Sequence, residues 1–301
     1  MAYDLGSIKD EYPFTPRTLW LNGFALSYLD EGPKDAPAIV MLHGNPTWSF
    51  YYRRLVLALR GKYRVIAPDH MGCGLSDKPG DYEYTLSAHI GNLTRLIDHL
   101  GLENLTLAMH DWGGAIGMGY AAGRPENVKA LVVFNTSAFR SDRIPFRIRI
   151  LRAPLFGDVM IRGLNAFAGS AIYLAMATGK PGRFMKKSVR KGYLLPYDSW
   201  ANRIAILRFV QDIPMSPADG SYALLEKIEN RLSLFRNTPA LIAWGMRDFC
   251  FDRAFLKGWL DRLRNTEAHM IEDAGHYVVE DAHEKIVPLM ERFMDRVYAE
   301  K

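Results

Sequence analysis

Leu105-Thr-Leu-Ala-Met-His-Asp111-Trp-Gly-Gly114 is the stretch that decides how this chain is read. An apolar run ends in one acid, glycines follow at once, and Ala115 to Ala122 carries a helical pattern. A strand that turns this sharply into a helix holds one side chain up at a sheet's edge, the arrangement of a nucleophile elbow with the usual pattern G-x-S-x-G. Met109 stands where that pattern has its first glycine, Asp111 where it has serine, and Gly113 where it has its last glycine. Taken alone, an Asp before glycines is more often a helix N-cap or a turn residue, because Asp is favoured at both. The surrounding chain reverses that reading.

Upstream, Ala38-Ile-Val-Met-Leu-His43 is a continuous apolar run of the kind found in strands buried on both faces, and it ends in His43-Gly-Asn-Pro46. A helix follows to about Arg60, Tyr63-Arg-Val-Ile-Ala-Pro68 is the next strand, and Leu86 to Leu100 is a well-patterned helix. Nearer the N-terminus, Arg17 to Asp30 reads as a β-hairpin with Asn22-Gly23 at its turn. Downstream, Val128 to Phe134 is a strand ending at Asn135-Thr136. The alternation then stops. From about Ala138 to Pro214 the sequence is helical, basic and aromatic, punctuated by Pro145, Pro154, Pro181 and Pro196. Strand patterns resume at Pro239 to Asp248, Glu267 to Ile271 leads to His276, and a helix over about Ala282 to Tyr298 closes the chain.

Strands alternating with helices predict an α/β fold, with a mostly parallel central sheet and helices on both faces. The predicted core is 1–137 and 215–301, with 138–214 an inserted helical cap. Sites in such sheets lie beyond the strands' carboxyl ends, where His43, Asp111, Asn135, Asp248 and His276 all fall.

The bulk properties narrow the classes. With 301 residues, 49% hydrophobic and 24% charged, the composition is ordinary for a globular protein. No apolar run is long enough to span a membrane. The first ten residues lack the basic flank and apolar block of a signal peptide, so a cytoplasmic location is expected. Cys73 and Cys250 lie far apart without metal-ligand spacing and read as buried thiols. The net charge of +5 is unevenly placed: between Phe139 and Gly192 there are twelve Lys and Arg against Asp142 and Asp158. Such a segment suits an anionic surface or substrate, or is simply a solvated basic face. No nucleic-acid module accompanies it, so nucleic acid is not an expected partner. There is no phosphate-binding glycine loop and no ligand cluster, so neither a metal nor an organic cofactor is expected.

The chemistry follows from the acid at the elbow. Asp111, Asp248 and His276 occur in the order nucleophile, acid, histidine, which is that of α/β-hydrolases, and each follows an apolar strand. An ordinary Asp is ionised at neutral pH and needs no base to activate it. Its attack on an ester carbonyl would give an uphill anhydride, whereas attack on a saturated carbon bearing a leaving group gives a stable alkyl ester. His276, held in its tautomer by Asp248, would then activate water to hydrolyse that ester. A displaced halide needs N–H donors in a dry pocket, and the Asn45 amide and Trp112 indole are donors of that kind.

His43-Gly-Asn-Pro-Thr-Trp-Ser49, Asp69-His-Met-Gly-Cys-Gly-Leu-Ser-Asp77, His110-Asp-Trp-Gly-Gly114, Gly245-Met-Arg-Asp248 and Gly275-His276 together resemble the haloalkane dehalogenase family, which has the α/β-hydrolase fold. The resemblance covers essentially the whole core. It implies Asp111 as nucleophile, His276 as base, Asp248 as triad acid and Asn45 with Trp112 as the leaving-group clamp. The backbone N–H groups of Asn45 and Trp112 would form the oxyanion hole. One branch of that family carries its acid after the preceding strand, where this chain has Asn135, so the acid belongs at Asp248, with Asp252 as the fallback.

Glu11-Tyr-Pro-Phe-Thr-Pro16, Phe209-Val-Gln-Asp-Ile-Pro-Met-Ser-Pro217 and Gly245-Met-Arg-Asp-Phe-Cys-Phe251 resemble more sharply the branch that includes the β-lactone decarboxylases of bacterial long-chain olefin biosynthesis. The same residues would then open a lactone at its saturated C–O carbon and release CO2 and a cis-alkene. The apolar, basic cap, Ala153 to Gly179 especially, would suit a long-chain substrate and peripheral association with a membrane or a larger assembly. Epoxide hydrolases resemble a pattern with Phe after His-Gly and two cap tyrosines; here position 45 is Asn, and Tyr173, Tyr193 and Tyr197 lie in no telling context. Fluoroacetate dehalogenases would want an Arg pair soon after the nucleophile, where this chain has Gly113-Gly-Ala-Ile116. A binding module on the same fold would predict a broken triad. The expectation is therefore a small apolar substrate, with haloalkane dehalogenation first and the β-lactone as the alternative.

Overall fold

Strand β3 (Ala38–Leu42) shows why the sheet must be covered on both sides. All five residues are buried; Ile39 and Met41 join one apolar cluster, while Val40 and Leu42 join another. Successive side chains of a strand point to opposite faces, so a fully apolar strand needs two covers. The computed structural model describes residues 3–176 and 185–299. Lys180, Pro181 and Arg183 of the basic stretch lie outside them.

Among the described residues eight strands form one sheet in the order β1-β2-β4-β3-β5-β6-β7-β8. They are β1 (Arg17–Leu21), β2 (Phe24–Glu31), β3, β4 (Arg64–Pro68), β5 (Leu105–Asp111), β6 (Val128–Thr136), β7 (Ala240–Gly245) and β8 (Thr266–Ile271). The β1–β2 and β2–β4 pairs are antiparallel and the rest are parallel. Asn22 (φ 52°) and Gly23 (φ 86°) make the hairpin turn, both in the left-handed region that a two-residue connection requires.

Helices α1 (Arg53–Leu59), α2 (Leu86–Leu100) and α3 (Trp112–Gly123) connect the first parallel strands. Helix α2 has the predicted limits because its signals are local. The Thr85 side chain accepts from Ala88 N at one end, and Gly101 closes the other with φ 59°. Between β6 and β7 the described residues hold α4 (Phe146–Ile150), α5 (Ala166–Leu174), α6 (Lys187–Leu194), α7 (Ile204–Gln211) and α8 (Tyr222–Arg231), and no strand. Helix α9 (Arg253–Arg262) follows β7, and α10 (Val278–Tyr298) follows β8. The last helix begins before the predicted Ala282, where it instead bends (φ −142°). The extra turn forms because the Asp281 carboxylate turns back to accept Gly275 N at 2.7 Å. Helices α1 and α10 cover one face of the sheet; α2, α3, α8 and α9 cover the other.

Candidate active site

The carboxyl end of β5 carries Asp111 with φ 51° and ψ −124°, a conformation L-residues rarely adopt. Such strain persists only where the surroundings enforce it. Here close approach does so. A Cβ on Gly113 would lie 2.1 Å from Leu42 O, and one on Gly114 would lie 2.0 Å from Thr136 Oγ1. Thr136 Oγ1 also donates to the Asp111 carbonyl, tying the elbow to β6. Gly44 meets the carboxylate itself, since a Cβ there would fall 2.0 Å from Asp111 Oδ1.

The two oxygens of Asp111 have different neighbours. Oδ1 accepts Asn45 N at 2.7 Å, and the Trp112 backbone N–H also bonds the carboxylate. Oδ2 faces His276 Nε2 at 3.6 Å, too long for a hydrogen bond. His276 Nδ1 donates to Asp248 Oδ2 at 2.9 Å, while Asp248 Oδ1 accepts Cys250 N at 2.6 Å. His276 and Asp248 are both buried, and Phe251 stacks on the imidazole with ring centroids 5.7 Å apart.

Burial sets the electrostatics. It raises the Asp111 pKa above the usual 3.8, against the charge of His276 and the two backbone N–H bonds. On His276 burial acts downward, but the charge and hydrogen bond of Asp248 and the charge of Asp111 outweigh it, so the imidazole sits above 6.5. His110, buried beneath, donates Nε2 to the His276 carbonyl at 2.8 Å, and burial keeps its own pKa well below 6.5.

Asn45, Asp111, Trp112, Asp248 and His276 all converge here, but not all as expected. Asn45 Nδ2 donates to the Ile206 carbonyl at 3.1 Å, which leaves one of its two hydrogens for a ligand. Trp112 packs on Phe209 with ring centroids 5.2 Å apart. Asn135 is no part of the constellation: its amide bonds both Gly245 N (2.7 Å) and Gly245 O (2.9 Å), bracing β6 against β7. Asp252, the fallback acid, caps α9 through Ala254 N and pairs with Arg143 at the surface. Of the tyrosines, Tyr197 donates to Thr47 O, Tyr193 to Glu280, and Tyr173 lies outward beside Arg190. Gly44, Thr136, Ile148 and Cys250 were not anticipated at the site; Gly44 and Cys250 lie inside motifs already quoted and Thr136 ends a predicted strand, which was the available signal.

Two apolar cavities open onto Asp111. The smaller, about 150 Å³, includes Trp112, Ala115, Phe139, Ile213, Leu225 and Phe255 in its wall. The larger, about 320 Å³, includes Leu151, Met160, Phe167, Ala171, Leu174 and His276. Among the described residues, only Asp111, Ile148 and Cys250 border both. Asp248, Cys250 and His276 also bring metal-ligating atoms within 4.8 Å of one another. A metal there would have to displace the His276–Asp248 hydrogen bond and a thiol proton that burial holds well above 9.0.

This geometry can present an ionised carboxylate to an apolar substrate, hold that carboxylate with two backbone N–H groups, and keep a histidine alongside. Residues 37–283 match the family model described as alpha/beta hydrolase fold. The chain is 46% identical over 297 residues to a cis-3-alkyl-4-alkyloxetan-2-one decarboxylase of Xanthomonas campestris, covering 95% of this chain and 97% of that one. It is 46% identical to one of the same name from Shewanella oneidensis, covering 94% and 89%. The haloalkane dehalogenase DatA from Agrobacterium tumefaciens superposes with a TM-score of 0.83 at 27% identity, covering 94% of this chain and 97% of that one. The chain belongs to the α/β-hydrolase fold family, among relatives that include haloalkane dehalogenases and these decarboxylases.

Proposed function

We propose that this chain converts cis-3-alkyl-4-alkyloxetan-2-ones into alkenes and CO2, with Asp111 as the nucleophile. The 46% identity to decarboxylases of that name, running nearly the full length of both chains, carries the reading. The sequence alone put halide displacement first; the greater distance of the dehalogenase DatA, at 27%, favours reversing that order.

In the proposed reaction Asp111 Oδ2 bonds to ring carbon C4 as the C4–O bond breaks. The released carboxylate stays on C3 and is received by the Trp112 indole and the remaining Asn45 N–H. The electrons of the C3–carboxyl bond then form the C3=C4 double bond as CO2 leaves and the C4–Oδ2 bond breaks. Asp111 returns as a carboxylate, and no water or net proton is consumed. Inversion at C4 places Oδ2 opposite the carboxyl group across the C3–C4 bond. Loss of both from that arrangement keeps the alkyl groups on one side. A cis lactone therefore yields a cis alkene.

Hydrolytic dehalogenation is the second reading, favoured by the position of His276 next to Asp248 and beside Asp111. In that reaction water, activated by His276, attacks the Asp111 ester carbonyl. An epoxide reading is disfavoured, because Tyr277 is the one tyrosine among the described residues lining the two cavities.

The test runs both substrates in 18O-labelled water on one preparation. The expected result is cis-alkene and CO2 from a cis-dialkyl lactone with no label entering Asp111. Its kcat/KM should exceed that for bromide release from 1-bromobutane by at least about a hundredfold, or ~2.7 kcal/mol. Efficient bromide release with label in Asp111, and no alkene, would overturn the proposal in favour of the dehalogenase.

A further inference from the structure

The two cavities meet where the chemistry is proposed to happen. One lies between the core helices α3 and α8 and the segment around Ile213; the other lies beneath α4 and α5. Apart from Asp111 itself, their shared border among the described residues consists of Ile148, reaching in from α4, and Cys250, just after β7. A substrate with one chain, such as a primary haloalkane, puts its reacting carbon at Asp111 and needs one of these spaces. A four-membered lactone with cis groups on adjacent ring carbons has the shape of a V. Its apex must come within about 3–3.5 Å of the attacking oxygen, which leaves its arms to diverge on either side.

We infer that the two cavities are separate arm sites, each holding one alkyl group of the lactone, with Ile148 and Cys250 as the partition and Asp111 at the apex. This rests on the lactone reading above. The difference in volume, about 150 against 320 Å³, makes the arms unequal: the larger cavity takes the longer chain, and the smaller sets a tighter limit on the other. Both walls are built mainly of Leu, Ile, Phe and Ala, so each selects by length and width rather than by polar recognition. The residues that fix specificity are accordingly Ala171 for one arm and Ile213 for the other, with Ile148 keeping the two selections independent.

Ala171 and Ile213 are half-buried, lie outside the proposed catalytic set and each line one of the two cavities and not the other, so a larger side chain at either should narrow that cavity alone. The experiment measures kcat/KM for alkene release over two lactone series, one lengthening only the 3-alkyl arm and one only the 4-alkyl arm. Ala171→Phe should cut turnover of long members of one series by about tenfold or more, ~1.4 kcal/mol, and leave the other series at the wild-type dependence. Ile213→Trp should do the same to the opposite series. Ile148→Ala should join the cavities and flatten the difference between series. A dimethyl lactone, too short to reach either narrowed region, reports whether each variant is folded and competent. Should a large substitution fail to fold, Ala171→Val and Ile213→Phe make the same comparison. If both variants shift the same series, or neither shifts any, the arm assignment is overturned while the lactone reading stands. If wild type makes no alkene from any member, the lactone reading itself falls, and the arm assignment with it.

Discussion

Asp111 and His276 titrate in ways that separate the two reactions. Burial holds the Asp111 pKa above 3.8, and in the proposed role the carboxylate must be ionised to attack, so either reaction should be lost as pH falls through that raised value. Ester hydrolysis needs a neutral His276, whose pKa lies above 6.5 because Asp248 outweighs its burial. Halide turnover should therefore decline as pH drops through the His276 value, while alkene formation, which needs no base, continues down to the Asp111 limb. Steady-state pH profiles with both substrates check this. Asp111→Asn should abolish both activities. His276→Ala should lower steady-state bromide release by about 10²–10⁴-fold, the usual contribution of a positioned base, and leave a stable alkyl adduct on Asp111 visible by mass. The same variant should keep alkene formation within about tenfold of wild type; an equal collapse of both activities would mean the lactone reaction also runs through the imidazole.

At the scale of elements, the elbow depends on what its neighbours lack. Gly44→Ala would set a methyl 2.0 Å from Asp111 Oδ1 and 2.2 Å from its Cβ, so the carboxylate must move off the Asn45 N–H. The expected outcome is a loss of at least about a hundredfold in kcat/KM, of the order caused by removing an oxyanion donor, with the far-ultraviolet circular dichroism unchanged. The elbow was legible because Asp-Trp-Gly-Gly is contiguous, and α2 was legible because Thr85 and Gly101 bound it. The start of α10 was not. Val278-Val-Glu-Asp carries no local capping residue, and its turn is closed by Asp281 reaching back to Gly275. Asp248 and Asp252 follow the same strand, and only the fold separates the one that reaches His276 from the one that caps α9. Ile148 was out of reach altogether. Its place at the cavity border depends on how α4 folds back over the sheet, which no periodicity encodes.

For the molecule as a whole, one buried ion pair links distant parts of the chain. Arg53 of α1 donates two hydrogen bonds to Glu280 of α10, at 2.7 and 3.0 Å, and Tyr193 of α6 donates to the same carboxylate at 2.9 Å. Glu280→Gln would leave the buried Arg53 guanidinium with the Glu11 carboxylate, 3.5 Å away, as its remaining acidic partner. It should lower stability by about 1–3 kcal/mol, read by chemical denaturation. Burial acts to raise the Glu280 pKa, but Arg53 holds it below 4.5. Its contribution to stability is thus fully present above 4.5 and is lost as pH falls through the depressed value. A wild-type denaturation series should show an acid loss that Glu280→Gln lacks. The basic excess that the sequence shows between Phe139 and Gly192 is also partly neutralised. Arg140 pairs with Glu229, Arg143 with Asp252, Arg152 with Asp219 and Arg162 with Asp158, mostly through acids outside that stretch.

The Asn135 brace limits where the acid can sit. Its side chain both gives a hydrogen bond to Gly245 O and takes one from Gly245 N. Asn135→Asp would keep the acceptor but turn the donor into a second acceptor facing a carbonyl, loosening β7 just before Asp248. In this chain an acid at position 135 therefore comes at the expense of the strand that leads to Asp248. Asn135→Asp combined with Asp248→Asn should unfold at lower denaturant than wild type or Asp248→Asn alone, unless Gly245 O gains another donor.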